Sequence, residues 1–342
     1  MNWEERPLEQ HVKWLLSDKL GQEGDKLWND YVTTRNEIVT KILPWIAKEG
    51  QGLTDHGVVH IRDVIDNAAL LLGFKNHFGD DNYRSDCHTF SPHEMLILLM
   101  GLLLHDIGNI YGRDRHNEKI NKVWSELTCW NLWGNTERQV IFSVGRAHCG
   151  KDDNGSNDTL KALSVSNNYF FKEAVRLAPI AAIVRFADEL AEGPQRTSNF
   201  LISSKLIDDT SEIYHQYAQI TRVSIDSASG RVALSYSIDS ENKDYPKNKA
   251  KLKKYLSQLL KIVYARAEKM NHERLFARHY CKELALFRDT SISITFFKND
   301  LPTDLSLDPI VLNDINILGN ISGKIEQINP SYNIDQLIKK LL

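Results

Sequence analysis

Residues Met95–Leu104 read MLILLMGLLL, an unbroken apolar run that ends in His105-Asp106. Ser91 ahead of Pro92, with Glu94 following, is the pattern of a capped helix start with proline in its first turn. A helix that is apolar all round belongs inside a body of other elements. The run is about half of the roughly 20 residues a bilayer span needs, so it reads as a core helix and no membrane is expected. It also carries an imidazole and a carboxylate into that core. An unpaired buried carboxylate is costly, so Asp106 must meet a cation or strong donors there.

The same tension recurs along the chain. His60 shares a helical face with Val64 and Leu71, His116 with Ile120 and Val123, His148 with Ile141 and Val144, and Asp188 with Ala181 and Val184. A single histidine on an apolar face is usually a hydrogen-bonded core residue. Five helical stretches that each turn an imidazole or carboxylate toward one core point instead to a shared ion. Imidazole with carboxylate suits Mn, Fe, Co, Ni or Zn better than Mg or Ca, with Mg kept as an alternative. His105 and Asp106 diverge by about 100° in an ideal helix, so both reach one ion only if the helix ends there.

Composition narrows the class. With 42% hydrophobic residues and a formal net charge of −3, the chain can build a core and has no general attraction to nucleic acid or anionic lipid. The opening MNWEERPLEQ is acidic and polar, which is no secretory signal. Cys87, Cys129, Cys149 and Cys281 form no CxxC pair, so a cysteine-based zinc site is not expected. Reduced thiols and a cytoplasmic location are.

Three segments are expected: 1–50, a helical segment; 51–205, an all-helical core; and 206–342, a smaller α+β portion for regulation or oligomer contacts. The fold class is therefore mainly α. Helices are read at 12–20, 27–47 with a bend at Pro44, 58–72, 92–106, 116–127, 136–149, 169–177 and 179–191. Later, 220–225 and 232–238 flank Asp226-Ser-Ala-Ser-Gly230 as a β-hairpin, a long helix covers 247–286, and 291–297 alternates like a strand. A short amphipathic helix closes the tail. Eleven Lys or Arg against two Glu between Lys247 and Lys282 make the long helix basic. That face is either solvated or a site for phosphate-rich ligands, with Tyr264, Phe276 and Tyr280 as core or base-stacking residues.

The order His60, His105-Asp106, Asp188 resembles the H…HD…D signature of the HD-domain metal-dependent phosphohydrolases. His60-Ile-Arg-Asp-Val resembles the first motif, Leu-Leu-His105-Asp106-Ile-Gly the second and Arg185-Phe-Ala-Asp188-Glu-Leu the last. Thr54-Asp55-His56-Gly57 before His60 is similar to a subgroup of bacterial conflict-system proteins, HD-CE. The stretch His105-Asp-Ile-Gly-Asn109 looks like that of bacterial deoxynucleoside triphosphate triphosphohydrolases. The GYP extension of cyclic dinucleotide phosphodiesterases is missing after His148.

The resemblance implies an all-α core with His60, His105, Asp106 and Asp188 on a divalent ion, and His56, His116 and His148 as candidates for a second. It implies water attack on phosphorus, with Asp106, Asn109, His116 and His148 as catalytic candidates. Arg113, Arg115, Arg146 and Lys151 are candidates for the substrate phosphates, and Arg185 is a further basic residue beside a motif. The leading expectation is a dNTP split to deoxynucleoside and triphosphate. The alternatives are a phosphodiesterase on cyclic or oligomeric nucleotides or single-stranded nucleic acid, and a catalytically silent nucleotide-sensing module. A regulatory nucleotide and a homo-oligomer are expected as partners.

Overall fold

The computed structural model describes residues 3–49, 54–74, 89–151, 155–204, 206–208, 211–314 and 324–342; Cys87 lies outside them. The chain forms two compact units. The first comprises Met1–Gly50, His56–Ala191 and Phe276–Ala285. The second comprises Gln51–Asp55, Glu192–Leu275 and Leu286–Leu342. Residues 1–50, set apart above as a segment, fall within the first unit.

The first unit holds α1 (Pro7–Leu20), α2 (Gln22–Lys41), α3 (Leu43–Glu49), α4 (Val58–Leu71), α5 (Pro92–Leu104), α6 (Ile120–Trp124), α7 (Asn135–Arg146), α8 (Lys161–Val165), strands β1 (Asn168–Phe170) and β2 (Glu173–Val175), and α9 (Leu177–Glu189). The apolar run forms α5, whose residues from His93 to Leu104 are all buried. It packs against α1, α4, α7 and α9. Its start is a reciprocal cap: Ser91 Oγ accepts from the Glu94 N–H at 3.2 Å, and the Glu94 carboxylate accepts from the Ser91 N–H at 2.9 Å. A Cβ at Gly101 would lie 2.7 Å from Val144 Cγ1 and 3.2 Å from Val184 Cγ2, so glycine is what lets α7 and α9 close on α5. Among the described residues, Pro92–Tyr111 alone is long and apolar enough to cross a bilayer, and most of it is buried inside the protein.

The α1–α2 pair closes over a buried acid. Glu9 accepts from Arg35 Nη1 and from the Tyr31 hydroxyl, both at 2.7 Å. The bend expected at Pro44 is a break at Ile42, which ends α2 and lets the proline sit in the first turn of α3.

Two expected helices are corrected. The expected helix at 169–177 is replaced by the β1–β2 hairpin, with Tyr169 paired to Ala174, and α9 begins only at Leu177. Its two turn residues, Phe171 and Lys172, take φ of 47° and 69°. The Phe171 N–H donates to the Glu137 carboxylate on α7 at 3.1 Å, and Phe170 and Val175 are buried, so tertiary anchoring overrides the helical spacing. Residues 116–127 form a tight turn at His116–Glu118 and only then α6, because Arg115 is left-handed at φ 49°.

The second unit holds α10 (Asn199–Ser203), α11 (Glu212–Ile220), β3 (Thr221–Asp226), β4 (Arg231–Asp239), α12 (Lys249–Tyr280), β5 (Asp289–Lys298), β6 (Leu301–Pro302), β7 (Ile310–Leu312), α13 (Ile325–Ile328) and α14 (Ile334–Leu341); residues 276–280 of α12 belong to the first unit. β3 and β4 form the expected hairpin, and the Asp226 carboxylate accepts from the Ala228 and Ser229 N–H groups in its turn. β4 then pairs parallel with β5 across the α12 connection, and β5 pairs antiparallel with β6 and β7. Alternate residues Val232, Leu234, Tyr236 and Ile238 of β4 and Ile292, Ile294 and Phe296 of β5 are buried. The apolar stripe of α12, Leu256, Leu259, Leu260 and Val263, is buried as well. Tyr264 is a core residue whose hydroxyl donates to the Tyr332 carbonyl at 2.8 Å. Tyr280 donates to Asp158 at 2.6 Å, and Phe276 lies 4.6 Å from the Arg185 guanidinium.

Candidate metal centre

Every histidine and aspartate expected at the site comes from the first unit. α4 presents His60 one turn in, and His56 precedes the helix, with Gly57 at its N-cap. α5 ends at Leu104, and the chain tightens into a 3₁₀ turn over Ile107–Tyr111. That change of pitch lets His105 and Asp106 face one space, which a continuous helix would forbid. The turn at His116, the residues after α7 and the end of α9 supply His116, His148 and Asp188.

Asp106 lies at the middle. Its Oδ2 is 3.1 Å from His56 Nδ1, 3.3 Å from His60 Nε2 and 3.6 Å from His105 Nε2. Its Oδ1 is 3.1 Å from His116 Nε2 and 3.7 Å from His148 Nε2. Asp188 Oδ1 is 3.2 Å from His60 Nε2 and 3.6 Å from His105 Nε2. Two donor groups result, His60/His105/Asp106/Asp188 and His116/His148/Cys149, each with its donor atoms within 4.8 Å of one another.

The donor set fits an ion. Nε2 of His60 and of His105 is buried with no well-formed hydrogen bond. His105 Nδ1 is 2.9 Å from the Leu102 carbonyl, His116 Nδ1 is 3.0 Å from that of Arg113, and His148 Nδ1 is 2.6 Å from that of Gly145. A carbonyl can only accept, so Nδ1 carries the hydrogen and a neutral ring turns its Nε2 lone pair into the cage. Nitrogen and carboxylate donors of this kind suit transition ions.

Electrostatics point the same way. Burial opposes charge on His105, but Asp106 and Asp188 outweigh it and raise its pKa to about 9. His116 is likewise buried, yet Asp106 and Cys149 raise it to about 10. Asp106 and Asp188, although buried, are held well below the usual carboxylate range by the surrounding imidazoles. Burial would raise the Cys149 thiol, but His148 and His116 bring it down to about 6. Without an ion, the cage holds protons where a cation would sit.

The remaining candidates differ in placement. Asn109 is buried in the 3₁₀ turn with neither amide atom hydrogen bonded. Arg113 is exposed and touches His56 Nε2 through Nη1. Arg115 is exposed and turns to Glu118 at 3.8 Å. Arg146 is half-buried at the end of α7, and Lys151 is exposed beyond it. Arg185 donates to the Asn157 carbonyl and the Thr159 hydroxyl. Cys149 was missed as a donor; its one sequence signal is adjacency to His148.

Gly108 has a positional task. A Cβ there would lie 1.9 Å from the His116 carbonyl oxygen. Gly108→Ala must therefore push the His116 turn away from Asp106. We expect the variant to fold and to lose activity by about 10- to 100-fold, in line with displacement of a metal site's supporting shell. Equal metal content and turnover in variant and wild type would refute this.

A mainly helical unit with H…HD…D donors around one space is the core of an HD-type metal-dependent hydrolase. The chain belongs to the HD-CE family, whose profile matches residues 51–262. It is also similar to the uncharacterized protein MJ1020 of Methanocaldococcus jannaschii, at 36% identity over 67 residues, 19% of this chain and 26% of that protein. The match thus spans about a quarter of the relative's length. No solved structure matches the chain.

Proposed function

We propose that the protein hydrolyses nucleotide phosphoesters, with a deoxynucleoside triphosphate split to deoxynucleoside and triphosphate as the leading reaction. The observation that carries this reading is Asp106, whose two oxygens face separate imidazole groups in one buried cage. A divalent transition ion supplies Lewis acidity toward a phosphoryl oxygen and makes water more acidic there. His60, His105, Asp106 and Asp188 would hold it. In the reaction, water adds to the α-phosphorus, the bond from phosphorus to O5′ breaks, triphosphate leaves with the new oxygen, and O5′ takes a proton. His116 and His148 stand beside Asp106, where an imidazole can move a proton or hold a second ion. Arg113, in contact with His56, is the leading cation for substrate phosphate, with Arg115 beside His116 and Arg146 and Lys151 flanking His148 as further candidates. A cytoplasmic homo-oligomer, tuned by a bound nucleotide, completes the proposal.

The paired donor groups also suit a phosphodiester, so the two readings are separated by product. Purified protein is incubated with each dNTP, each NTP and bis-p-nitrophenyl phosphate, with Mn, Co, Ni, Fe or Mg, and the products are resolved chromatographically. Deoxynucleoside with inorganic triphosphate is the expected result. Cleavage of the diester alone replaces the substrate with a phosphodiester. No turnover by protein with bound metal would sink the hydrolytic reading.

A further inference from the structure

We propose that Cys149 is a metal ligand: with Nε2 of His116 and His148 it forms a second site, facing Oδ1 of Asp106, that selects a thiophilic ion such as Zn²⁺ over Mg²⁺. The inference rests on the metal-binding part of the reading above and not on its substrate.

The distances are those of donors around one small ion. Cys149 Sγ is 3.5 Å from His116 Nε2, and the two Nε2 atoms are 3.1 Å apart. An ion with bonds of about 2.3 Å to sulfur and about 2.0–2.1 Å to nitrogen, at tetrahedral angles, sets sulfur and nitrogen about 3.6 Å apart and two nitrogens about 3.4 Å apart. Asp106 Oδ1, 3.1 and 3.7 Å from the same nitrogens, stands where a fourth donor or a bridge would. Both rings keep their hydrogen on Nδ1 through backbone carbonyls, which aims Nε2 at the sulfur side.

The backbone that carries the sulfur is held for this purpose. Asn117 is buried, and its Nδ2 donates to the Arg146 carbonyl at 3.0 Å and to the Cys149 carbonyl at 3.1 Å. Gly150 then turns the chain away at φ 83°, and a Cβ there would lie 2.9 Å from Asn117 Nδ2. One side chain beside His116 thus locks the segment that bears His148 and Cys149. The other described cysteines have carboxylate neighbours instead: Cys129 donates its N–H to Glu37, and Cys281 donates its thiol to Glu283. Soft sulfur distinguishes the second group from the nitrogen-and-oxygen set of the first, so the two sites should differ in the ions they accept.

The test uses the full chain, stripped of metal and titrated with Co²⁺ under reducing conditions. The wild type should take up two equivalents and develop a near-ultraviolet thiolate-to-cobalt charge-transfer band. Cys149→Ala should lose the band and one equivalent, with its circular dichroism unchanged, while Cys281→Ser keeps both. A band that survives in Cys149→Ala, or a wild type that binds cobalt without one, overturns the proposal and leaves the first site standing. A wild type that binds no cobalt overturns both this proposal and the metal-dependent reading. Should Cys149→Ala misfold, Cys149→Ser supplies the same comparison, because a hydroxyl gives no such band.

Discussion

Asp106→Ala should abolish metal binding at both donor groups and lower hydrolytic turnover by at least about 10³-fold. Lewis-acid stabilisation supplies several kcal/mol, and a loss of about 4 kcal/mol at about 1.4 kcal/mol per tenfold slows the reaction by about 10³. His60→Ala removes a donor from one group only, whereas Asp106 presents Oδ2 to one set of imidazoles and Oδ1 to the other. The fold should survive. Removing the carboxylate takes away one of the anions that raise His105 and His116, while Asp188 still faces His105 and Cys149 still faces His116, so a proton left on either ring keeps a partner. Metal content, turnover and circular dichroism of the purified variant check the three parts separately. Two retained equivalents of metal would show that Asp106 is not shared.

Metal affinity should rise steeply with pH. In the ion-free protein His105 titrates near 9 and His116 near 10, so both carry a proton at pH 7 that an entering ion must displace. Each displaced proton changes the apparent affinity by about tenfold per pH unit, or about 100-fold per unit for the two together, flattening above pH 10. Calorimetric titrations in buffers of different ionisation enthalpy count the protons directly; release of none at pH 7 would refute the assignment. Stability of the ion-free protein follows the opposite sign. A histidine raised above its unfolded value of about 6.5 contributes fully below that pH, and the contribution is lost as pH climbs through 9 and 10. The lowered pKa values of Asp106 and Asp188 contribute above about pH 4 and are lost on acidification. The ion-free protein should thus melt highest between about pH 4 and 6.5 and lose thermal stability toward pH 10.

Four of the donors were legible because each breaks a rule of its own helix: His60, His105, Asp106 and Asp188 are ionisable residues where the apolar spacing demands a core. The motif order then pointed to one family. His56 was harder, since Gly57 argues against a helix there; it reaches Asp106 from outside α4, and only the chain path shows that. Cys149 carries no pairing signal, and its position depends on Asn117, more than thirty residues upstream. The β1–β2 hairpin was hidden because its left-handed turn uses Phe171 and Lys172, residue types that seldom take positive φ. The β3–β4 hairpin was readable from its turn. The parallel pairing of β4 with β5 is non-local and leaves no mark in either strand.

The carbonyls that receive Nδ1–H belong to Leu102, Arg113 and Gly145, each three residues before its own histidine. The Nδ1 side of each ring is thereby oriented within its own short peptide. The cage is modular in that sense. The helices around it can drift widely in sequence while those peptides keep the lone pairs convergent. A transplant of the same three turns onto another helical scaffold with matching spacing should carry the aim of the imidazoles with it.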